Sequence, residues 1–196
     1  LINYHHIKPW NILAITFTNK AAKEMKERVA HLLGEQMQGI WIHTFHAACL
    51  NILRQHIDKL GFDRNFLIFD SSDQQVLVKD CMKALNIDEK NFPAKSILSE
   101  IGKAKDVLMD CDQFEAEYGS DFRMRNVAKV YKRYQQMLKN NNALDFDDII
   151  MHTVKIFKDH EDVLEYYSRK FKYIMVDEYQ DTNHAQFVLV SLLAKY

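Results

Sequence analysis

The chain of 196 residues is poor in the residue types that mark linkers and covalent cross-links, with only 2 Pro, 5 Gly and 3 Cys. So few Pro and Gly residues leave no long flexible linker. The three cysteines, Cys49, Cys81 and Cys111, lie far apart and form no C-x-x-C pair. Disulfides and a zinc site are therefore not expected, and a reducing cytoplasmic setting is favoured.

Charge of one sign and long apolar runs are also missing. The formal net charge is -1, so any nucleic-acid-binding surface must be local rather than spread over the protein. No apolar run approaches the roughly 20 residues that cross a bilayer, and no membrane partner is expected. No signal peptide is visible, and the first residue is Leu1 instead of Met, which predicts a fragment of a longer protein.

The short motifs of several enzyme classes do not occur. The sequence contains no Rossmann G-x-G-x-x-G, no H-E-x-x-H metal pair and no G-x-S-x-G nucleophile elbow. A phosphate-cradling loop would read G-x-x-x-x-G-K-[ST], and the only spacing match, Gly34 to Gly39, continues with Ile40 and Trp41. That match also lies between a helix and a strand, which is the wrong order. No cofactor-binding residue is therefore predicted.

Three short apolar stretches predict an α/β fold with a parallel sheet. Residues 11–16 and 39–43 have the pattern of strands, and a polar turn and an amphipathic helix follow each of them, as in a βαβ unit. The third stretch, Tyr173–Val176, is apolar throughout, which is typical of a strand buried on both faces of a parallel sheet.

The stretch between residues 61 and 142 has a different pattern. Helical periodicity dominates it, at about 72–86, 94–108, 111–118 and 122–140. This predicts a mostly helical block inserted between two pieces of the sheet. Further helices are expected after Leu144 and after Asn183, with Phe146 and Phe187 on their apolar faces.

Charged residues cluster at two places near the end of this block. The helix at 122–140 is basic, and it either rests on a phosphate backbone or presents a solvated face, which is the commoner explanation. Its cations are Arg123, Arg125, Lys129, Lys132, Arg133 and Lys139. The acids Asp145, Asp147 and Asp148 fall in the first turn of the next helix, where the macrodipole favours negative charge without any catalytic role.

Two acids follow the third predicted strand directly. Asp177 and Glu178 are expected at the carboxyl edge of the sheet, where ligands of open α/β folds bind. In a nucleotide hydrolase, the first such acid holds Mg²⁺ and the second activates the attacking water. A charged turn that caps the next helix explains the pair equally well.

Aromatic residues occupy the polar turns after the first two strands. Phe17, Phe45 and His46 stand among hydroxyl and amide groups, and aromatic rings beside hydrogen-bond donors suit single-stranded nucleic acid, whose bases stack. The other interpretation makes the two phenylalanines core anchors beneath their helices, and taken singly it is the better one for each.

Four of these segments, in this order, resemble motifs of the superfamily 1 DNA helicases of the UvrD/Rep/PcrA type. They are Thr16–Ala22, Thr44–His46 with Ile52–Arg54, Leu144–Asp148 and Val176–Asn183. The last contains the string DEYQDTN, which is far more diagnostic than a bare acid pair. The similarity covers essentially the whole chain and looks closest to the PcrA branch from low-GC Gram-positive bacteria.

The resemblance implies a fold and an activity. The fold is a RecA-like (P-loop NTPase) α/β domain, incomplete at its N-terminus, made of residues 1–60 and 144–196, with a helical subdomain inserted at 61–143. Enzymes of this family work in the bacterial cytoplasm, where ATP hydrolysis drives 3′–5′ translocation on single-stranded DNA and unwinding of duplex in repair and replication. The basic helix 122–140 would lie in the subdomain that approaches duplex DNA.

The resemblance also implies roles for individual residues. Asp177 matches the Mg²⁺ ligand, Glu178 the general base, and Gln180 the residue that links the γ-phosphate region to the DNA side. The positions that match the lining of the single-strand path are Phe17, Asn19, Thr44 and His46.

Cofactors and partners follow from the same resemblance. The parent enzyme would use ATP and Mg²⁺, and its partners would be single-stranded DNA, junctions of single- and double-stranded DNA, and the second RecA-like domain of the same chain. The Walker A loop and that second domain are not found in this sequence. We therefore expect the chain alone to bind no cofactor and to be inactive, and its open sheet edge to be able to pair with a second copy.

Three alternatives remain open. A stand-alone, degenerate helicase-like module would keep the DNA-binding surface without the motor. A subunit of a helicase–nuclease would need long additional C-terminal sequence. A metal-dependent hydrolase would use Asp177, Glu178 and Asp181, although three acids on one turn do not make an octahedral cage.

Overall fold

The structure is a computed structural model that describes residues 1–195, apart from the side chains of residues 3 and 4. The chain forms two compact units. The first contains Leu1–Ile57 and the chain from His152 onward, and the second contains Asp58–Met151. Helices and small parallel sheets make up both units, so the predicted α/β class is confirmed. Among residues 1–195, no helix is long and apolar enough to span a membrane.

The elements are as follows. The strands are β1 (Ile12–Thr16), β2 (Trp41–Thr44), β3 (Leu67–Ile68), β4 (Ala143–Leu144) and β5 (Tyr173–Val176). The α-helices are α1 (Ile2–His5), α2 (Asn19–Leu33), α3 (Phe45–His56), α4 (Ser71–Ala84), α5 (Ala94–Asp106), α6 (Cys111–Tyr118), α7 (Phe122–Asn140), α8 (Phe146–Asp159), α9 (Glu161–Lys170) and α10 (His184–Leu193). The short 3-10 helices are Pro9–Asn11, Gly34–Met37, Ile57–Leu60 and Tyr179–Asp181.

The sheet of the first unit has the strand order β2-β1-β5, and all its pairings are parallel. Thr16 lies opposite Thr44, and Ile15 lies opposite Val176, so the three strands end at one edge. Every residue of β1 is buried, because β1 is the central strand and is apolar from Ile12 to Ile15. The turns after all three strands are thereby collected at the carboxyl edge of one sheet.

The prediction that strand β5 is buried on both faces was wrong. Tyr173, Ile174 and Val176 are only half-buried, and 47% of the surface of Met175 is exposed. Within the described residues β5 has a single strand neighbour, β1, so its other edge and part of one face lack cover. An apolar run fits an edge strand as well as a central one, and its composition does not distinguish the two.

Two threonines begin the helices that follow β1 and β2. The Thr18 side-chain oxygen accepts a hydrogen bond from the Ala21 N–H at 3.1 Å, and the Thr44 oxygen accepts one from the Ala47 N–H at 3.2 Å. Each satisfies a backbone donor that the first helical turn leaves unpaired, which is typical of an N-cap. The turns are therefore fixed by local hydrogen bonds.

The second unit is mostly helical, with α4, α5, α6 and α7 packed around an apolar core. Its sheet consists of the two-residue strands β3 and β4, which pair in parallel with Leu67 opposite Ala143. Helical periodicity predicted neither strand, because two residues give no repeating pattern.

Two aromatic residues lie outside the core that the sequence assigned to them. Phe146 at the start of α8 is 51% exposed, and Phe187 on α10 is 47% exposed. Helical spacing places a residue on one face of its helix, but it does not determine how completely the rest of the fold covers that face. The later apolar positions of α8 behave as expected, since Val154 and Phe157 are buried.

Candidate functional site

The acid pair lies directly beyond the end of β5. The backbone N–H of Asp177 donates a 2.9 Å hydrogen bond to the carbonyl of Ile15, so the ladder between β5 and β1 extends one residue past the strand. The chain then turns sharply, because Glu178 adopts a left-handed conformation with φ 51°. Such a backbone costs a residue other than glycine about 1–2 kcal/mol. Both carboxylates are exposed at the carboxyl edge of the sheet.

Side-chain hydrogen bonds hold the turn that follows. The Gln180 Nε2 donates to Glu178 Oε2 at 2.6 Å, which fixes the orientation of that carboxylate. The Thr182 hydroxyl donates to the carbonyl of Tyr179 at 2.9 Å. Asn183 then caps α10, because its side-chain oxygen accepts from the N–H of Gln186 at 2.9 Å. The string DEYQDTN therefore forms a defined turn with two exposed acids at its start.

The donor set fits a Mg²⁺ ion that is shared with phosphate groups, as a protein cage would need more ligands. Mg²⁺ takes one or two carboxylates together with substrate phosphates and waters, and the exposed Asp177 provides one such carboxylate. Within residues 1–195 no group of three or more His, Cys, Asp or Glu side chains is arranged to hold a metal ion. Asp177, Glu178 and Asp181 are therefore not arranged as such a group among the described residues.

The structure distinguishes the roles of Phe17, which follows β1, and Phe45, which follows β2. The rings of Phe17 and Phe45 lie 5.4 Å apart at an angle of 57°. Phe45 is 1% exposed and is a core residue under α3, whereas Phe17 is only half-buried. Phe17 therefore packs one side on the core and presents the other to solvent. Asn19, the first residue of α2, is exposed beside it.

The turn after β2 supplies the neighbouring residues of this edge. Thr44 is 7% exposed, and its side chain serves as the N-cap of α3. His46, the second residue of α3, is half-buried. The sheet brings the turns together, because Thr16 lies opposite Thr44 and Phe17 follows Thr16 directly. A hydroxyl that accepts from the helix backbone still has its own proton to donate.

One strand connects the acid pair with the aromatic turn. The carbonyl of Ile15 accepts the bond from Asp177, and Thr16 and Phe17 are the next residues of the chain. The acid turn is thus hydrogen-bonded to the strand residue that lies two positions before Phe17. The structure brings these predicted site residues to a single sheet edge in the first unit.

The basic helix α7 uses most of its cations within the second unit. The Nη2 of Arg123 donates to the Ser96 hydroxyl, Arg125 donates to the carbonyl of Gly119, Lys132 pairs with Asp112, and Lys139 donates to the carbonyl of Leu60. These contacts favour the interpretation of a solvated face. Phosphate contact by α7 stays a prediction.

Sequence patterns missed a buried ionic network in the second unit. The Lys105 Nζ lies 2.6 Å from Asp145 Oδ2 and 2.8 Å from Asp148 Oδ1. Burial by itself lowers the pKa of Lys105, but the charges of the two carboxylates outweigh burial, so the net shift is upward. The Tyr134 hydroxyl donates to the same oxygen of Asp145 at 3.0 Å. The one available signal was a lysine on the apolar stripe of α5, next to Ile101 and Ala104.

Comparison with known proteins decides the family. Residues 1–196 match the family model described as the UvrD/REP helicase N-terminal domain. The chain belongs to the UvrD/REP helicase family. This membership confirms the resemblance predicted from the four motifs.

Curated relatives in the UvrD/REP helicase family show high identity. The chain is 51% identical over 194 residues to the ATP-dependent DNA helicase PcrA of Staphylococcus epidermidis, with 99% of this chain and 26% of the relative covered. It is 52% identical over 190 residues to the enzyme of the same name from Bacillus subtilis, with 97% and 26% covered. The PcrA of Staphylococcus aureus is 49% identical over 194 residues, with 99% and 26% covered. The chain thus spans about a quarter of the length of these relatives.

Proposed function

We propose that this chain is part of an ATP-dependent DNA helicase of the bacterial cytoplasm that moves 3′–5′ along single-stranded DNA and unwinds duplex ahead of it. Residues 1–60 and 144–196 would be part of its first RecA-like domain, and 61–143 an inserted helical subdomain. The observation that carries the proposal is the hydrogen bond from Asp177 to Ile15. It joins a nucleotide-side acid pair to a DNA-side turn through one central strand.

The nucleotide side has three proposed residues. Asp177 would hold Mg²⁺, which neutralises charge on the phosphates of bound ATP. Glu178 would accept a proton from the attacking water, and its exposed carboxylate is free of any salt bridge among the described ion pairs. Gln180 would hold the Glu178 carboxylate in position, as its 2.6 Å hydrogen bond does here.

The DNA side has four proposed residues. Phe17 offers a half-exposed ring on which a base can stack, a contact that is tolerant of base identity. Amide, hydroxyl and imidazole groups beside the ring supply hydrogen bonds for the sugar–phosphate backbone. They belong to Asn19, Thr44 and His46. Because Asp177 bonds to Ile15 and Phe17 lies two residues further along the same chain, the proposed nucleotide and DNA sides adjoin at the carboxyl end of β1, and hydrolysis would be coupled there to the grip on DNA.

An ATPase assay tests the nucleotide side. We expect no ATP hydrolysis from this chain alone, because no phosphate-cradling loop accompanies Asp177, Glu178 and Gln180 in the sequence. In the full-length reading frame, Glu178→Gln should abolish DNA-stimulated ATPase activity while ATP binding persists. Hydrolysis by the isolated chain that Glu178→Gln abolishes would refute the expected inactivity. Full activity of the full-length variant would refute the role of Glu178.

A stand-alone DNA-binding module is the second candidate function. Both DNA-side turns are complete in this chain, whereas the phosphate loop does not occur in its sequence. The two candidates differ in the response to nucleotide. A full-length helicase should bind single-stranded DNA and junctions with an affinity that changes on adding ATP and Mg²⁺. A binding module should show the same affinity with and without them in a fluorescence-anisotropy titration.

Self-association through β5 is proposed for the isolated chain. The open edge of β5 adjoins an apolar groove of about 510 Å³ whose lining includes Met175, Val176, Ile12 and Val29. An unpaired edge with an adjacent apolar surface favours pairing with another strand. Light scattering should show a concentration-dependent dimer that Met175→Lys returns to a monomer. A monomer at every concentration would exclude this contact.

A further inference from the structure

A small cationic pocket lies beside the proposed single-strand path, between α2 and the end of β2. Its volume is about 220 Å³. It is lined by Asn19, Ala22, Lys23, Lys26, Ile42, His43, Thr44 and Ala47. Two of these residues, Asn19 and Thr44, also belong to the proposed DNA-binding surface. The pocket therefore continues that surface around the sheet edge, toward residues that no family motif includes.

The pocket concentrates positive charge without a matching acid in its lining. Lys26 is exposed and makes no ion pair among the described residues, and its charge acts on the imidazole of His43. Lys23 lies 3.9 Å from Glu27, with both side chains mostly in solvent. An exposed pair of this kind contributes little, so Lys23 is available to an incoming anion.

The imidazole of His43 lines this pocket, and its pKa is affected by its surroundings. Burial, and then the positive charge of Lys26, lower the pKa of His43 below its ordinary value. Other basic side chains lie on the elements near β2. Lys23 of α2 lines the same pocket, His46 is the second residue of α3, and Lys170 of α9 lies 4.4 Å from the centroid of the Trp41 ring, which is itself 5.5 Å from the His43 ring. An imidazole among cations is neutral until an anion arrives, and an anion bound there favours its protonated form.

We propose that Lys23, Lys26 and His43 form a phosphodiester-binding subsite, which takes one backbone phosphate of single-stranded nucleic acid as it leaves the Phe17 turn. The size of the pocket selects the ligand. Pockets for whole small molecules usually measure about 300–1,000 Å³, so 220 Å³ suits a phosphate group rather than a nucleoside. The subsite rests on the proposed function, because it extends the same DNA-binding surface.

The salt dependence of binding gives the sharpest test. Anisotropy of a labelled oligothymidylate of about 12 nucleotides, a length typical of single-strand sites, is measured over a range of NaCl concentrations. Each lost phosphate contact lowers the slope of log affinity against log salt by about 0.7 for single strands. We expect this reduction, with weaker binding at low salt, for Lys26→Ala and a comparable one for Lys23→Ala.

A matched control comes from the same helix. Arg28 is exposed and lies on the side of α2 opposite Lys23 and Lys26, since successive residues are rotated by about 100°. Arg28→Ala removes the same charge but should leave the slope unchanged. An oligomer of the same length with neutral methylphosphonate links, and inorganic phosphate alone, separate backbone recognition from free-anion binding. The neutral oligomer should bind the Lys23→Ala, Lys26→Ala and Arg28→Ala variants equally well. Inorganic phosphate should bind far more weakly than the charged strand.

The imidazole provides a second readout that a merely structural role would not change. The pKa of His43, followed by NMR of its ring proton, should rise when the oligothymidylate binds. The affinity should therefore increase as the pH falls from about 8 to 5.5, and His43→Asn should remove that part of the increase. An unchanged pKa of His43 on saturation would overturn the subsite.

Phe17→Ala distinguishes the failure of this subsite from the failure of the proposed function. If Phe17→Ala weakens binding while Lys23→Ala and Lys26→Ala behave like Arg28→Ala, the subsite is wrong and the DNA-binding surface stands. If the lysine variants alone weaken binding, the subsite stands and base stacking on Phe17 is wrong. If the chain binds no oligothymidylate at low salt, both are wrong.

Discussion

The ammonium group of Lys105 lies 2.6 Å from a carboxylate oxygen of Asp145, although 40 residues separate the two in sequence and both side chains are almost wholly buried. Asp148 accepts from the same nitrogen at 2.8 Å, so one positive charge is shared by two negative ones. Asp145 and Asp148 also cap the start of α8 through each other's backbone N–H groups. One lysine of α5 therefore holds the beginning of α8 in place.

Removing this lysine should destabilise the protein strongly. Lys105→Met leaves two buried carboxylates without their cation, and breaking a buried pair in this way costs about 3–5 kcal/mol. The measurement is urea unfolding followed by circular dichroism. Lys103→Met on the same helix is the control, because Lys103 pairs with Glu100 at the surface and its loss should cost less than about 1 kcal/mol. Equal stability of the two variants would contradict the burial of the network.

The neighbouring Asp147 should make stability depend on pH. Burial, and then the charge of Asp145, raise the pKa of Asp147 from 3.8 to about 6. Between these values the folded protein keeps a proton that the unfolded chain has released, so the free energy of unfolding falls as the pH rises through this range. Asp147→Asn, which stays neutral, should remove that fall and be more stable near neutral pH by roughly 1–3 kcal/mol.

The control for this pH profile is Asp80→Asn, which removes an exposed carboxylate of α4. Both variants are unfolded by urea at a series of pH values between about 4 and 8. The difference between Asp147→Asn and the unmodified chain should grow with pH and then level off above the raised pKa. A constant difference, or one that Asp80→Asn reproduces, would show that Asp147 is not the titrating group.

The left-handed backbone at position 178 favours glycine, whereas the proposed function requires the carboxylate of Glu178. Glycine adopts φ 51° without the steric cost that other residues bear, so Glu178→Gly should be more stable than Glu178→Ala by about 0.5–1 kcal/mol. Urea unfolding of the two variants measures this difference, and both lose the carboxylate equally. If Glu178→Ala is the more stable of the two, the turn is not held in the left-handed conformation.

The pair Phe17 and Phe45 should separate packing from DNA binding. Phe45 is fully buried, so Phe45→Ala should cost about 3–5 kcal/mol of stability. Phe17→Ala should cost clearly less, but it should weaken binding of single-stranded DNA by about 1–3 kcal/mol. Phe187→Ala removes a more exposed ring, on α10, and should leave DNA binding unchanged. A loss of binding with Phe187→Ala would show that the effect is not specific to the β1 turn.

Periodicity in the sequence was sufficient for the local features of this protein. Strand β1 and the helices of the second unit follow from it, because periodicity depends on residues a few positions apart. The DEYQDTN string and its companions determined the family for the same reason, since each motif is contiguous in the chain.

The partners of residues far apart in the sequence became visible in the folded protein. Nothing near Tyr173–Val176 in sequence shows that β5 lacks a second strand neighbour, because edge position depends on the other strands. The acids at 145–148 looked like first-turn residues that favour the helix dipole, and the partner that makes them a buried network lies on α5. The cationic pocket between α2 and β2 likewise joins residues of two elements. Burial and charge pairing are set by packing, and spacing along the chain does not encode them.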